Sequence, residues 1–171
     1  MVSKAVKCLV LGAVVALGFA SEQAFAQTVT TTFQVSATVN ANCIQQAATN
    51  IDHGVYDPLA ADDDATGTVT VRCTNGTPYT VALNVGTGGG SFATRTLSGT
   101  GDTLDYNLYR NAARNEVWGD GSGATYTVPG TGAGLGVPQQ QSHTVYSRIT
   151  TGQTTAAPGS YNSTIQVSIT Y

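Results

Sequence analysis

From residue 28 the chain alternates. Val29, Thr31, Phe33, Val35, Ala37 and Val39 fall on one side of a period-two ladder, and Thr30, Thr32, Gln34, Ser36 and Thr38 on the other. That is the pattern of a strand with one apolar and one polar face, and its Val and Thr content, free of Gly and Pro, suits an extended backbone. Similar alternation returns at 68–73, 79–85, 104–110 and 143–149. The chain closes on a further run that places Tyr161, Ser163, Ile165, Val167, Ile169 and Tyr171 together, opposite Asn162, Thr164, Gln166, Ser168 and Thr170. Weaker extended pieces are expected at 92–97, 117–118 and 125–128.

Between these runs stand turn formers. The cluster Asn75-Gly76-Thr77-Pro78 separates 68–73 from 79–85 and predicts a hairpin. Residues 86–90 and the Gly- and Pro-containing stretch 129–138 are expected as loops. The segment from Cys43 to the acidic run Asp62-Asp63-Asp64 shows no clear period and is expected to be irregular, with the acidic run a solvated bulge. No stretch has a helical period with caps. Many short strands broken by Gly and Asn turns predict an all-β sandwich, with a jelly roll as the nearest rival.

The first 26 residues stand apart. Lys4 and Lys7 precede an uncharged apolar run from Cys8, and Ala24-Phe25-Ala26 is a small-x-small site, the arrangement of a secretory signal peptide. Cys8 lies in no lipoprotein-type box and is expected to leave with that segment. No later run approaches the roughly 20 apolar residues of a spanning helix, so no membrane insertion is expected. Removing 26 of 171 residues leaves 145, enough for one domain with one core. Cys43 and Cys73 then remain as an even pair in an exported chain, which points to a disulfide, with two buried free thiols as the alternative. The same cut leaves five Arg, no Lys and nine acids, a net charge of −4. A clustered basic footprint for nucleic acid is therefore absent.

Chemistry-bearing motifs are sparse. Gly121-Ser122-Gly123 lacks the spacing of a nucleophile elbow, and the glycines between Gly130 and Gly136 do not form a phosphate-binding pattern. His53 and His143 are far apart in sequence and are expected at the surface or at strand edges rather than on a metal. The acidic run lacks the alternating spacing of a calcium loop. No catalytic residue, cofactor or metal site is expected. Tyr106, Tyr109 and Trp118 could build an aromatic sugar platform, although Tyr106 lies on the apolar face of its strand. Asn75-Gly76-Thr77 and Asn162-Ser163-Thr164 match the glycosylation acceptor pattern.

The stretch LDYNLYRNAARNEVWGDG at 104–121, TVYSRI from Thr144 and the ending PGSYNSTIQVSITY resemble the spore coat protein U domain family, which includes subunits of archaic chaperone-usher pili of the Csu type. The positions of Cys43 and Cys73 are similar to that family's disulfide pattern. Ser147 stands in place of an expected Gly, and Asn162-Ser163 in place of a Thr-Asp or Lys-Asp pair. The resemblance implies an incomplete immunoglobulin-like sandwich that lacks its last strand and is completed by donor-strand complementation. Its groove would run beside the C-terminal strand, along Tyr161, Ile165, Val167, Ile169 and Tyr171. A periplasmic chaperone would lend a strand first. At the outer-membrane usher the donor strand of the next subunit, residues 27–39, would replace it in the domain formed by 40–171. A surface fimbrium supporting adhesion and biofilm formation would result, and single-domain length favours a shaft or minor subunit.

Two functions of different kind are thus expected from the sequence. One is a pilus subunit whose first strand enters another copy. The other is a monomeric secreted or coat-associated carbohydrate-binding sandwich, in which that strand pairs within its own fold.

Overall fold

The computed structural model describes residues 26–99 and 101–171; the expected signal peptide, with Cys8, lies almost wholly outside the described residues. Contacts divide the chain near Ala37–Thr38. In the N-terminal unit, the described residues 26–37 carry no hydrogen-bonded strand. Val29, Phe33 and Val35 are 91%, 88% and 83% exposed, so the expected strand is present as a sequence pattern and finds no ladder among the described residues.

Among its described residues the C-terminal unit holds eight strands in two antiparallel sheets. The larger contains β1 (Cys43–Ala48), β2 (Asp63–Cys73), β7 (Gln141–Ile149), β5 (Thr103–Tyr109) and β4 (Arg95–Ser98), in that order. The smaller runs β6 (Val128–Thr131), β3 (Pro78–Leu83), β8 (Val167–Thr170). One 3-10 turn at Val137–Gln139 is the helical content among the described residues. The expected all-β sandwich is what the chain forms.

Alternation explains which side chains meet. Val69 and Val71 of β2, Leu104, Tyr106 and Leu108 of β5, and Val145 and Ile149 of β7 form one cluster with Tyr79, Val81 and Leu83 of β3. Trp118 joins them at 0% exposure, its indole N–H donating to Val81 O at 2.9 Å. The segment around it ties the sheets together: Trp118 N donates to Leu108 O at 2.9 Å and Leu83 N to Gly119 O at 3.1 Å.

Several expectations are corrected. β2 and β3 do not form a hairpin: β2 pairs β1 and β7, while β3 pairs β6 and β8 in the other sheet. The turn at Asn75-Gly76 has the local chemistry of a hairpin but carries the chain across the sandwich, because each strand's apolar face needs the opposite sheet. CIQQAA, expected as irregular, is β1; the ladder of β2 recruits it despite its weak pattern, with a register shift between Gln45 and Ala47. The strand expected at 125–128 lies later, at Val128–Thr131, and takes part of the expected 129–138 loop. At the C terminus, the ladder proper covers Val167–Thr170 rather than the whole alternating run. Upstream of it, Asn162 bridges Ser98, and Thr87 N donates to Thr164 O at 3.1 Å.

The cysteines form the expected disulfide. Cys43 and Cys73 are opposite each other on β1 and β2, with Cα atoms 4.1 Å apart.

Candidate functional site

The sandwich is covered unevenly. On β7 the inward residues Val145, Ser147 and Ile149 are 5%, 1% and 1% exposed. Along the C-terminal run the alternation is equally regular, but Tyr161, Ser163, Ile165, Val167 and Ile169 are only half-buried and their neighbours exposed. Tyr161, Ile165, Val167 and Ile169 pack against the core cluster without being closed over. Tyr171, placed with them by the sequence, is 57% exposed. β8 pairs with β3 along one edge and ends its sheet on the other. Such an edge presents unpaired N–H and C=O groups beside apolar surface, a template for strand addition.

The segment after β1 supplies further half-covered apolar groups, Ile51 and Tyr56. Ile51 fits because Gly67 leaves room: a Cβ there would lie 2.6 Å from Ile51 Cγ1 and 3.1 Å from Thr49 O. Tyr56 Oη donates to Thr150 O at 2.8 Å.

His53, between them, is neither a surface nor an edge histidine. Its Nε2 is 2.8 Å from Ser147 Oγ and its Nδ1 is 3.4 Å from Asp63 Oδ1. Nε2 and Ser147 Oγ share a hydrogen bond whose direction follows the tautomer, while the Asp63 carboxylate lies near Nδ1 without a formed hydrogen bond. The order Asp, His, Ser is that of a hydrolase triad. Ser147 is 1% exposed, however, so no carbonyl can reach its oxygen, and the trio links the segment after β1 to β2 and β7. Among the described residues no group of three or more His, Cys, Asp or Glu is placed to hold a metal ion.

The acidic run is not a free bulge. Asp63 and Asp64 open β2, and Asp64 faces Arg148 across the ladder. Arg148 binds Asp64 through Nε at 2.7 Å and Nη2 at 2.9 Å, with Arg114 Nη1 3.1 Å from Asp64 Oδ2 and Arg148 Nη1 3.2 Å from Asp62. The hydrogen bond from Arg148, helped by the charge of Arg114, holds the Asp64 carboxyl below its usual range. The other histidine, His143, lies 2.9 Å from Tyr79 Oη through Nε2, and burial lowers its pKa.

Arg95 escaped the sequence reading altogether. It is 0% exposed and donates to Asn84 O, Asn107 Oδ1 and Trp118 O at 2.6–3.2 Å. Asn84 in turn holds the C-terminal run: Gln166 N donates to Asn84 Oδ1 at 2.9 Å, and Asn84 N to Gln166 O at 3.1 Å. A buried guanidinium thus stands behind the half-covered strand. The only sequence signal is its place in an otherwise polar and apolar short strand, RTLS.

The expected sugar platform is not assembled. Trp118 and Tyr106 are buried in the core, and Tyr109 is half-buried. A sugar ring needs an open aromatic face, and Trp118 has none.

The family model of the Spore Coat Protein U domain matches residues 29–168. Among solved structures, the fold is similar to a chain in the crystal structure of the CsuC-CsuE chaperone-tip adhesion subunit pre-assembly complex from archaic chaperone-usher Csu pili of Acinetobacter baumannii. That similarity has a TM-score of 0.55 and 24% identity, over 78% of this chain and 40% of that one. A chain of a chaperone-tip adhesin complex described as vital for synergistic activation of CFA/I fimbriae biogenesis matches at 12% identity and a TM-score of 0.46, over 77% of this chain and 41% of that one. This chain therefore spans well under half the length of those solved chains. No curated protein matches it.

Proposed function

This chain belongs to the Spore Coat Protein U domain family, and on that premise we propose that it is a structural subunit of an archaic chaperone-usher pilus. Residues 1–26 direct export, residues 27–39 are a donor strand, and 40–171 form an immunoglobulin-like sandwich that a neighbouring copy completes. The observation that carries the reading is a pair of complementary deficiencies. Val29, Phe33, Val35 and Val39 are 82–91% exposed on an alternating segment without a ladder, while the C-terminal run has a half-covered apolar face and a free edge beyond β8.

Joining the two gives the donor face of Val29, Thr31, Phe33, Val35, Ala37 and Val39 a core to enter, and gives β8 a partner. Phe33 is the anchor, since burying a side chain of that size is worth about 1.5–3 kcal/mol. Because each subunit gives an arm and accepts another, the contact is heterologous and propagates as a filament. Before assembly the acceptor face needs a temporary cover, the role we assign to a periplasmic chaperone with an outer-membrane usher as the site of exchange. The product is a surface fimbrium that supports adhesion and biofilm formation. The single sandwich suits a shaft or minor subunit.

The test is co-expression with a cognate chaperone and usher. The intact chain is expected to form an SDS-resistant ladder. A chain lacking residues 27–39 but retaining its signal peptide is expected to bind chaperone and form no ladder; a ladder from that deletion would refute the proposal.

A further inference from the structure

We propose that successive copies also touch end to end: the apolar loop around Val137 of one copy packs on the loop of Val55 and Leu59 of the copy that holds its arm. This rests on the strand-exchange reading above and adds a second contact, with the residues that make it. Outside the arm, the most exposed large apolar side chains among the described residues are Val55 at 96%, Leu59 at 84% and Val137 at 69%. They stand at opposite ends of the sandwich. The β2–β7 ladder defines those ends, running from Asp63 opposite Ile149 to Val71 opposite Gln141. Val137 lies in the loop between β6 and β7, which is tied to the second end where Gly134 N donates to Cys73 O at 2.9 Å. Val55 and Leu59 lie at the first, where Tyr56 Oη donates to Thr150 O at 2.8 Å and Gly152 N to Pro58 O at 2.9 Å.

The arm departs from Val137's end. There Asn42 N donates to Thr74 Oγ1 at 3.0 Å, Thr74 N donates to Asn42 O at 2.9 Å, and Cys43 is bonded to Cys73. Asn40 and Ala41 alone separate that anchor from Val39. An inserted arm is therefore joined to its own sandwich by a span of at most about 11 Å.

The ends also fix the strand direction. Thr170 lies opposite Thr80, and Pro78 opposite Thr131, so the C-terminal run finishes at the end from which the arm departs. Its start lies at the other end: Asn162 bridges Ser98, which pairs with Thr103 beyond the Tyr106–Ile149 pair. A parallel arm would bring Val39 to the departure end, and the donor's sandwich would crowd the acceptor's own arm. An antiparallel arm brings Val39 to the Tyr161 end and leaves the departure end clear for the next copy, so this arrangement continues as a filament. Residues 29–39 match 161–171 in length, so Val39 reaches that end. The short linker then sets the donor's Val137 end against the acceptor's Val55 and Leu59 end.

The two loops suit each other. Residues 132–140 carry no charge, and the turn Val137–Gln139 buries none of its own residues. Leu59 is followed by Ala60 and Ala61, and the nearby Asp57 is turned back on its own loop, its Oδ1 accepting from Leu59 N at 2.9 Å. Covering apolar side chains this exposed is favourable.

The experiment places Leu59→Cys and Val137→Cys singly and together in the full chain, expressed with chaperone and usher. Boiled in SDS without reductant, native polymer is expected to collapse to monomer, whereas the double variant is expected to keep a ladder that reductant abolishes. Each single variant is expected to run as monomer. A double variant that forms an unboiled ladder but collapses on boiling overturns the contact and leaves strand exchange standing. Dimers from Val137→Cys alone would join two departure ends and overturn it likewise. Photo-crosslinking from p-benzoylphenylalanine at position 59 gives the same reading without added thiols: capture of the 132–140 peptide is expected, and capture of another segment or of none overturns the contact. Failure of the native chain to form an unboiled ladder overturns strand exchange and the contact with it.

Discussion

Asp64 and Arg148 stand directly opposite each other on β2 and β7, joined by two hydrogen bonds of 2.7 and 2.9 Å. The pair converts the acidic run at the start of β2 from a source of repulsion into a clasp, with Arg114 on its other side. The Asp64 carboxyl is held below 3.8 by Arg148. A depressed carboxyl contributes stability that is fully present above the unfolded value and lost as pH falls through the folded one. Asp64→Asn is expected to cost about 1 kcal/mol or less at neutral pH, because the pair is partly exposed and screened by salt. Urea unfolding from pH 7 down to pH 2 (roughly the carboxylate range) should show the gap between the two proteins closing as the pH drops below about 3.8. A gap that persists undiminished at the acid end would contradict the assignment.

His143 sets a second pH window. Burial pushes its imidazole below the ordinary 6.5, and its partner Tyr79 and neighbour Gln141 carry no charge there. For a histidine favoured neutral, the unfolded chain binds the extra proton, so stability is present above 6.5 and declines as pH falls towards the lowered value. Thermal melts of the native chain are expected to fall between about pH 7 and pH 5. The His143→Gln variant should lose that slope while keeping a hydrogen-bonding group beside Tyr79.

Arg95 predicts a larger effect. Replacing it with Met removes the donor for Asn84 O, Asn107 Oδ1 and Trp118 O, all gathered behind the C-terminal strand. Orphaned buried acceptors are expensive, and a loss of about 3 kcal/mol or more is expected in urea unfolding. Arg95→Lys should recover only part, because an ammonium cannot span three acceptors with a planar fork. Equal stability of Met and native chains would show that the network contributes nothing net.

For the arm, the two faces make opposite predictions. Phe33→Ala in a peptide of residues 27–39 should weaken capture by the exported chain by roughly 10- to 150-fold, the equivalent of one large buried side chain. Thr32→Ala, on the polar face, should change it by less than about twofold. Similar effects at the two positions would mean that the arm does not insert with the expected face inward.

Much of this was legible along the chain, and the misses share a cause. β5 and β7 carry their alternation openly, and both were expected within two residues of where they lie. β1 was missed because CIQQAA has almost no alternation, its strand state coming from the ladder of β2. The β2–β3 hairpin was wrong because a two-strand turn and a turn between sheets use the same Asn-Gly-Pro chemistry; only the pairing partners distinguish them. Trp118 was offered for a sugar platform and Arg95 was given no role for a related reason: their partners lie as far away as Val81 and Asn84.

By itself the amino-acid order determined the strand periods, the cysteine pair, the sparse charge and the apolar face of the arm, since all of these are properties of near neighbours. The tertiary structure decided which faces are closed and which stay open. Burial depends on what other segments lie above a side chain, so Ile149 and Ile165, both on inward faces of alternating runs, end at 1% exposure and half-buried. That difference, invisible in the order of residues, is what leaves the apolar face of the C-terminal strand half-open.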